Sequence, residues 1–175
     1  MTKIQQAFAT LMTLLFCGVN VLQAAPATTY GVIQKITVPG EGGWDYLTAD
    51  TASRRLYISH STQVDVLDMD QNTVVGHLAN TPGVHGIALS SDRGFTSNGK
   101  EGTLAIFDPQ TLTILSRVKV GDNPDAILYD PASKHVFMFN GHSQDMTVVD
   151  PPRARWWDVC RWVGDLSLQR RMATA

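Results

Sequence analysis

The feature that most constrains this chain is a stretch of about forty residues that is written three times. One unit reads GGWDYLTADTASRRLYISHSTQVDVLDMD, the next PGVHGIALSSDRGFTSNGKEGTLAIFDPQ, the third DNPDAILYDPASKHVFMFNGHSQDMTVVDPP. Asp68, Asp108 and Asp150 end equivalent runs, 40 and 42 residues apart. Asp45, His85 and Asp125 correspond at an interval of 40 both times. A unit this short cannot cover its own apolar faces. It must stack on copies of itself.

Within each unit the period is that of strands. RLYIS, GFTSN and HVFMFN form one strand type, VDVLD, LAIFD and TVVD a second, TVVGHLA and LTILSRVKV a third. DPAS, SDRG and NGKEG are turn chemistry, placing Asp, Pro, Asn and Gly at the bends. No part of this body keeps a helical period. Four short strands in a forty-residue unit predict the blade of a β-propeller.

The blade-start pieces GGWDYLTAD, PGVHGIAL and NPDAILYDP, the inner pieces LYISH, GFTSNG and VFMFNG, and the strand ends VDVLD, LAIFD and TVVD resemble the YVTN-type β-propeller repeat of YncE-like exported proteins. The resemblance runs from Tyr30 to about Pro151. It implies an all-β fold, a β-propeller fragment with about three of seven four-stranded blades, in a protein of the periplasm or cell surface. The repeats fall at about 30–70, 71–110 and 111–150, with Gly31 to Val38 expected as a lone strand that would complete a final blade. The third blade is expected to lack its outermost strand. A closed ring normally takes four to eight blades. Three alone are expected to be marginal, with unpaired edges that invite aggregation.

The two ends differ from the body. Residues 1–25 read as a secretory signal: Lys3, an apolar run from Ala7 to Val21, then Ala24 and Ala25 before Pro26. Cleavage is expected near Ala24 or Ala25. The alternative, a membrane anchor, is disfavoured because spanning a bilayer takes about 20 apolar residues. Of the two cysteines, Cys17 leaves with the signal and Cys160 lies near the other end, so the body has no disulfide framework and no thiolate metal site. Residues 151–175 carry five of the nine arginines and three of the four tryptophans. Where a fourth unit would place a text like Val74-Val75-Gly76, the chain reads RWWDVCRW. Tryptophan has the single codon TGG. Read from the third base of each codon, Trp156 into Trp157 must give valine, Trp157 into Asp158 glycine, and Arg155 into Trp156 Val, Leu or Met. That restores V-V-G and marks the tail as out-of-frame translation. The rival reading is a basic, aromatic anchor for nucleic acid or a membrane surface.

Chemistry is best sought at Asp45, His85 and Asp125, expected just before the innermost strand of each unit, at one mouth of a central channel. Two carboxylates and an imidazole around one axis suit a divalent cation or a cationic ligand. Alternatively, each side chain caps its own turn. Trp44 is an aromatic wall for a ligand or a packing residue between blades. His60, Asn98 and Asn140 end the second strands and either line the same face or satisfy the turn. His77, His135 and His142 read as surface residues. Asp65, Asp68 and Asp70 read as solvated edge charges, since the glycine and closing glutamate of a calcium loop are absent. There is no glycine-rich phosphate loop, no H-E-x-x-H and no nucleophile elbow, and nothing points to a nucleotide, haem or flavin. Pro26 to Pro152 holds 14 acids and 8 bases, which gives no electrostatic reason to expect nucleic acid. The leading expectation is a non-enzymatic binding or scaffold protein of the bacterial envelope, whose partner is an unknown ligand or envelope protein. The alternatives are a metal-dependent, lactonase-like propeller hydrolase, by fold analogy alone, and single-stranded DNA binding.

Overall fold

The computed structural model of the protein describes residues 30–151 and the strand at 155–161. Residues 1–29, including the expected signal at 1–25, residues 152–154 and the chain beyond Arg161 lie outside the described residues. The chain divides into two units, one ending at Lys35 and one beginning at Ile36. Residues 30–35 of the first unit form no strand.

The second unit holds twelve strands among its described residues: β1 (Trp44–Asp50), β2 (Arg55–His60), β3 (Gln63–Asp68), β4 (Thr73–Leu78), β5 (Val84–Leu89), β6 (Gly94–Asn98), β7 (Thr103–Asp108), β8 (Thr113–Lys119), β9 (Pro124–Asp130), β10 (His135–Asn140), β11 (Asp145–Asp150) and β12 (Arg155–Arg161). They form three antiparallel four-stranded sheets in the orders β1-β2-β3-β4, β5-β6-β7-β8 and β9-β10-β11-β12. These are three propeller blades. No helix among the described residues is long and apolar enough to cross a membrane.

Two expectations change here. The lone strand at Gly31 to Val38 does not form. An extended segment becomes a strand only when a neighbour takes its ladder hydrogen bonds, and no described strand pairs with it. The third blade, expected to end at β11, has a fourth strand: β12 pairs with β11. Its register repeats that of the other blades. Val149 faces Trp156 as Leu67 faces Val74 and Phe107 faces Ile114, each seven residues on, and a bulge precedes that pair every time. The arginine-tryptophan text is threaded where the repeat places its outer strand.

Hairpin chemistry sets the connections. Asp50 accepts hydrogen bonds from the amides of Ala52 and Ser53 and from the Ser53 hydroxyl, and Asp130 does the same with Ala132 and Ser133. The next residue in each case, Arg54 or Lys134, takes a left-handed φ of 57° or 59° to turn the chain. Asp68 and Asp108 cap the following hairpins through the amides of Asp70 and Gln71, and of Gln110 and Thr111. The Ser53 hydroxyl, the Ser133 hydroxyl and the Gln110 amide, each the leading influence at its site, hold Asp50, Asp130 and Asp108 below the usual carboxylate range.

The core lies between the blades. Tyr57, Val64, Val66 and Leu78 of the first blade close on Val84, Ile87 and Phe107 of the second. On the other side Ala88, Phe95, Leu104, Ile106 and Val118 of the second close on Val136, Met138 and Val149 of the third. Ile106 and Phe107 are sequence neighbours that point into opposite seams, as the two-residue period of a strand requires. Each seam carries an aromatic pair, Tyr57 with Phe107 at 6.1 Å and Phe95 with Tyr129 at 5.7 Å between ring centroids. The outer strands β4 and β8 alternate exposed and part-buried residues, as edge strands with one wet face do.

Candidate functional site

The innermost strands β1, β5 and β9 lie side by side, with β5 in the middle. Each begins with the same irregularity. In β1 the pairing jumps from Trp44–His60 to Leu47–Ile58, in β5 from Val84–Asn98 to Ile87–Thr96, in β9 from Pro124–Asn140 to Ile127–Met138. Two residues on the inner strand therefore oppose one on its partner, which is a β-bulge. Bulges re-aim side chains. The bulged pairs are Asp45-Tyr46, His85-Gly86 and Asp125-Ala126. The three polar residues thus lie inside the innermost strands, as their second residues, and not before them as the sequence suggested.

A second device ties the bulges of β5 and β9 to the blade before each. The Ser59 hydroxyl of β2 donates to the backbone carbonyl of His85. The Ser97 hydroxyl of β6 donates to the carbonyl of Asp125 and accepts the Gly86 amide. Each serine sits opposite its own blade's bulge and grips the next blade at its site residue. Gly86 permits the approach: a Cβ there would lie 2.6 Å from Ile127 Cγ2 and 3.0 Å from the Asp125 carbonyl oxygen.

The result is convergence. Asp45, His85 and Asp125, one from each blade, present ligand-capable atoms that all lie within 4.8 Å of one another. His85 Nδ1 is 2.7 Å from Asp45 Oδ2. None of the three caps its own turn, which the aspartates at 50, 68, 108 and 130 do. The Asp125 carboxylate has no hydrogen-bond or ion-pair partner among the described residues. Asp45 and Asp125 are exposed and His85 is half-buried, so the group is open to a ligand.

The other predicted residues have different surroundings. His60, Asn98 and Asn140 are buried and bonded within their own blades, each to the side chain five residues on. His60 Nδ1 lies 2.8 Å from Asp65 Oδ2, Asn98 Nδ2 donates to Thr103 Oγ1, and Asn140 Nδ2 donates to Asp145 Oδ1. His60 Nε2 also meets the Glu41 carbonyl at 3.0 Å. These residues tie strand ends together. Trp44 stacks on His60 at 4.6 Å, yet stays 51% exposed beside Asp45, so packing accounts for one of its faces. Asp65 is not a solvated edge charge: it is buried against His60 and Gln63. Asp70 is an exposed partner of Arg54, and Asp68 caps a turn. His77 and His142 are exposed, and His135 is half-buried.

Beside Asp125 a groove of about 450 Å³ runs along Phe139, Asn140 and Asp145. Asn140 Oδ1 is buried without a hydrogen-bond partner among the described residues. In the second blade Thr96 donates to the equivalent Asn98 oxygen, but the third blade has Met138 in that place.

No protein-family model and no curated protein sequence matches this chain. Solved structures do. Kuenenia stuttgartiensis hydrazine synthase matches at a TM-score of 0.64 with 21% identity, over 74% of this chain and 39% of that one. The structure of U3-55K matches at 0.67 with 8% identity, over 75% and 43%. The WD40 β-propeller domain of Doa1 matches at 0.59 with 10% identity, over 69% and 41%. At these identities the likeness is one of fold, and it is a likeness to propellers. The chain spans about two fifths of each of these structures.

Proposed function

We propose that this chain is the blade-bearing part of a non-enzymatic binding propeller of the bacterial cell envelope, with its ligand seat where Asp45, His85 and Asp125 meet. One observation carries the reading. Three positions equivalent by repeat hold three polar side chains that do no turn capping, and the inner strands bring them within 4.8 Å. Two carboxylates beside one imidazole select a cationic ligand. The repeat text of YncE-like exported proteins and the signal-like residues 1–25 support an envelope location. In this reading the three blades belong to a ring of about seven, and the text from about Pro151 onward comes from a shifted reading frame. The register of β12 favours that view, since Trp156 lies where the repeat wants Val74 or Ile114. Sequencing the gene across codons 148 to 175 checks the frame: immediate stop codons in the shifted frame would end it.

Calorimetric titration of the full chain with calcium, zinc and spermidine tests the seat. At least one of these cations is expected to bind wild type and to lose affinity in Asp45→Asn and Asp125→Asn. If none binds a folded wild-type protein, the reading fails.

A further inference from the structure

We infer that Asp45, His85 and Asp125 form a binding site for a divalent first-row transition-metal ion of the zinc class. The inference rests on the binding reading above and narrows its ligand.

The donor set comes first. An imidazole nitrogen with two carboxylate oxygens is a mixed N/O set. Imidazole suits zinc and its first-row neighbours, while calcium takes six to eight oxygens and magnesium holds its waters. Two aspartates are too few oxygens for calcium.

Distance comes next. Zinc binds nitrogen and carboxylate oxygen at about 2.0–2.2 Å, which puts two ligand atoms of a tetrahedral ion about 3.4 Å apart. The widest pair here spans up to 4.8 Å. The gap to close is about 1.4 Å, within reach of an aspartate side-chain rotation. Both aspartates are exposed, and Asp125, whose carboxylate has no partner among the described residues, is the one free to turn. The backbones beneath His85 and Asp125 are already fixed by the Ser59 and Ser97 hydroxyls.

The atoms agree as well. His85 Nδ1 faces Asp45, whereas Nε2 faces Gly99, where an added Cβ would sit 2.8 Å away. The nitrogen on the aspartate side is therefore the ligand, and with an ion bound there the ring proton sits on Nε2. Without an ion, one imidazole serves two carboxylates and satisfies only Asp45. An ion placed among the three completes Asp125 too. Three protein ligands leave a coordination position for water or for a donor atom of a partner molecule.

The test is cobalt(II) absorption and zinc competition on the full chain, with far-UV circular dichroism to confirm folding. One cobalt ion per chain is expected, displaced by zinc. His85→Ala, Asp45→Asn and Asp125→Asn are each expected to weaken binding by about tenfold or more, since even outer-shell losses cost about 10–100-fold. Asp125→Asn is the decisive variant, because an exposed side chain with no partner among the described residues can change without harm to the fold. His77→Ala, on an exposed outer strand, is expected to bind as wild type. Binding that survives Asp125→Asn and His85→Ala overturns the site, as does a folded wild type that takes up neither metal. If spermidine or calcium binds and depends on Asp125 while cobalt and zinc do not, the metal assignment falls and the cationic seat stands. If nothing binds, both fall.

Discussion

The middle blade and its two neighbours are written in the same repeat, yet they differ in burial. The first strand of the middle blade, β5, is buried at Val84, Gly86, Ile87 and Ala88. Its equivalents are open: Tyr46 and Leu47 in β1 are 51% and 61% exposed, and Leu128 in β9 is 57% exposed. Sequence alone does not account for this, because Leu47, Ile87 and Ile127 are alike. The middle blade is covered on both faces. Among the described residues, each outer blade is covered on one. Burial in this fold is a property of having neighbours, as expected where stability is a sum of unit and interface terms.

Removing a side chain from a seam is the most direct test of this dependence on neighbours. Phe107 is fully buried in the seam between the first two blades. Phe107→Ala is expected to cost about 3–5 kcal/mol, read as a fall in the urea midpoint. A loss as small as that of an exposed leucine would mean the seam does not hold the blades together. Gly86→Ala comes next, at about 1–3 kcal/mol, because its Cβ meets the third blade. It also displaces Asp125, so cation binding is expected to weaken although no ligand is changed. Ser97→Ala removes a hydroxyl that serves both the Gly86 amide and the Asp125 carbonyl, and is expected to cost about 1–2 kcal/mol. Calorimetry of that variant should show the same coupled loss of binding.

Acid gives a smaller effect that is shared among the blades. Asp50, Asp108 and Asp130 have folded-state pKa values below the unfolded value. Their contribution is fully present above about pH 4–5 and is lost as pH falls through the lowered values. Asp130→Ala is therefore expected to lower Tm at neutral pH and to approach wild type as acid protonates the capping carboxylate. A constant deficit across that range would refute the capping account. Leu128→Ala is the smallest, within about 0.5 kcal/mol. A large loss there would show that something covers β9 in solution.

Much of this was legible in the chain. The interval of 40 placed Asp45, His85 and Asp125 at equivalent positions, and the structure brings them together. The alternation in RLYIS and VDVLD gave the strands their places. What could not be read was whatever depends on pairing across the sheet. A bulge is a mismatch between two strands and leaves no mark on either alone. Asp65 looked solvated because its partner His60 becomes its neighbour only when β2 and β3 pair. The serine grip did leave a signal, a hydroxyl just before His60 and before Asn98. The third repeat has Phe139 there, which broke the pattern. The strand at β12 was hidden because its text is foreign to the repeat, while the backbone that pairs with β11 carries no side-chain signature.

That foreign text on the outer edge has a practical consequence. If the rim of a blade accepts RWWDVCR in the repeat register, the rim sets its hydrogen bonding through main-chain amides, and its outward-facing positions are open in composition while Leu78 and Val118 stay bound to the seams. The exposed positions of the equivalent stretches, Thr73, Val75 and His77 in one and Thr113, Leu115 and Arg117 in the other, are then the places for affinity handles, leaving the seams, the inner strands and their three converging side chains undisturbed.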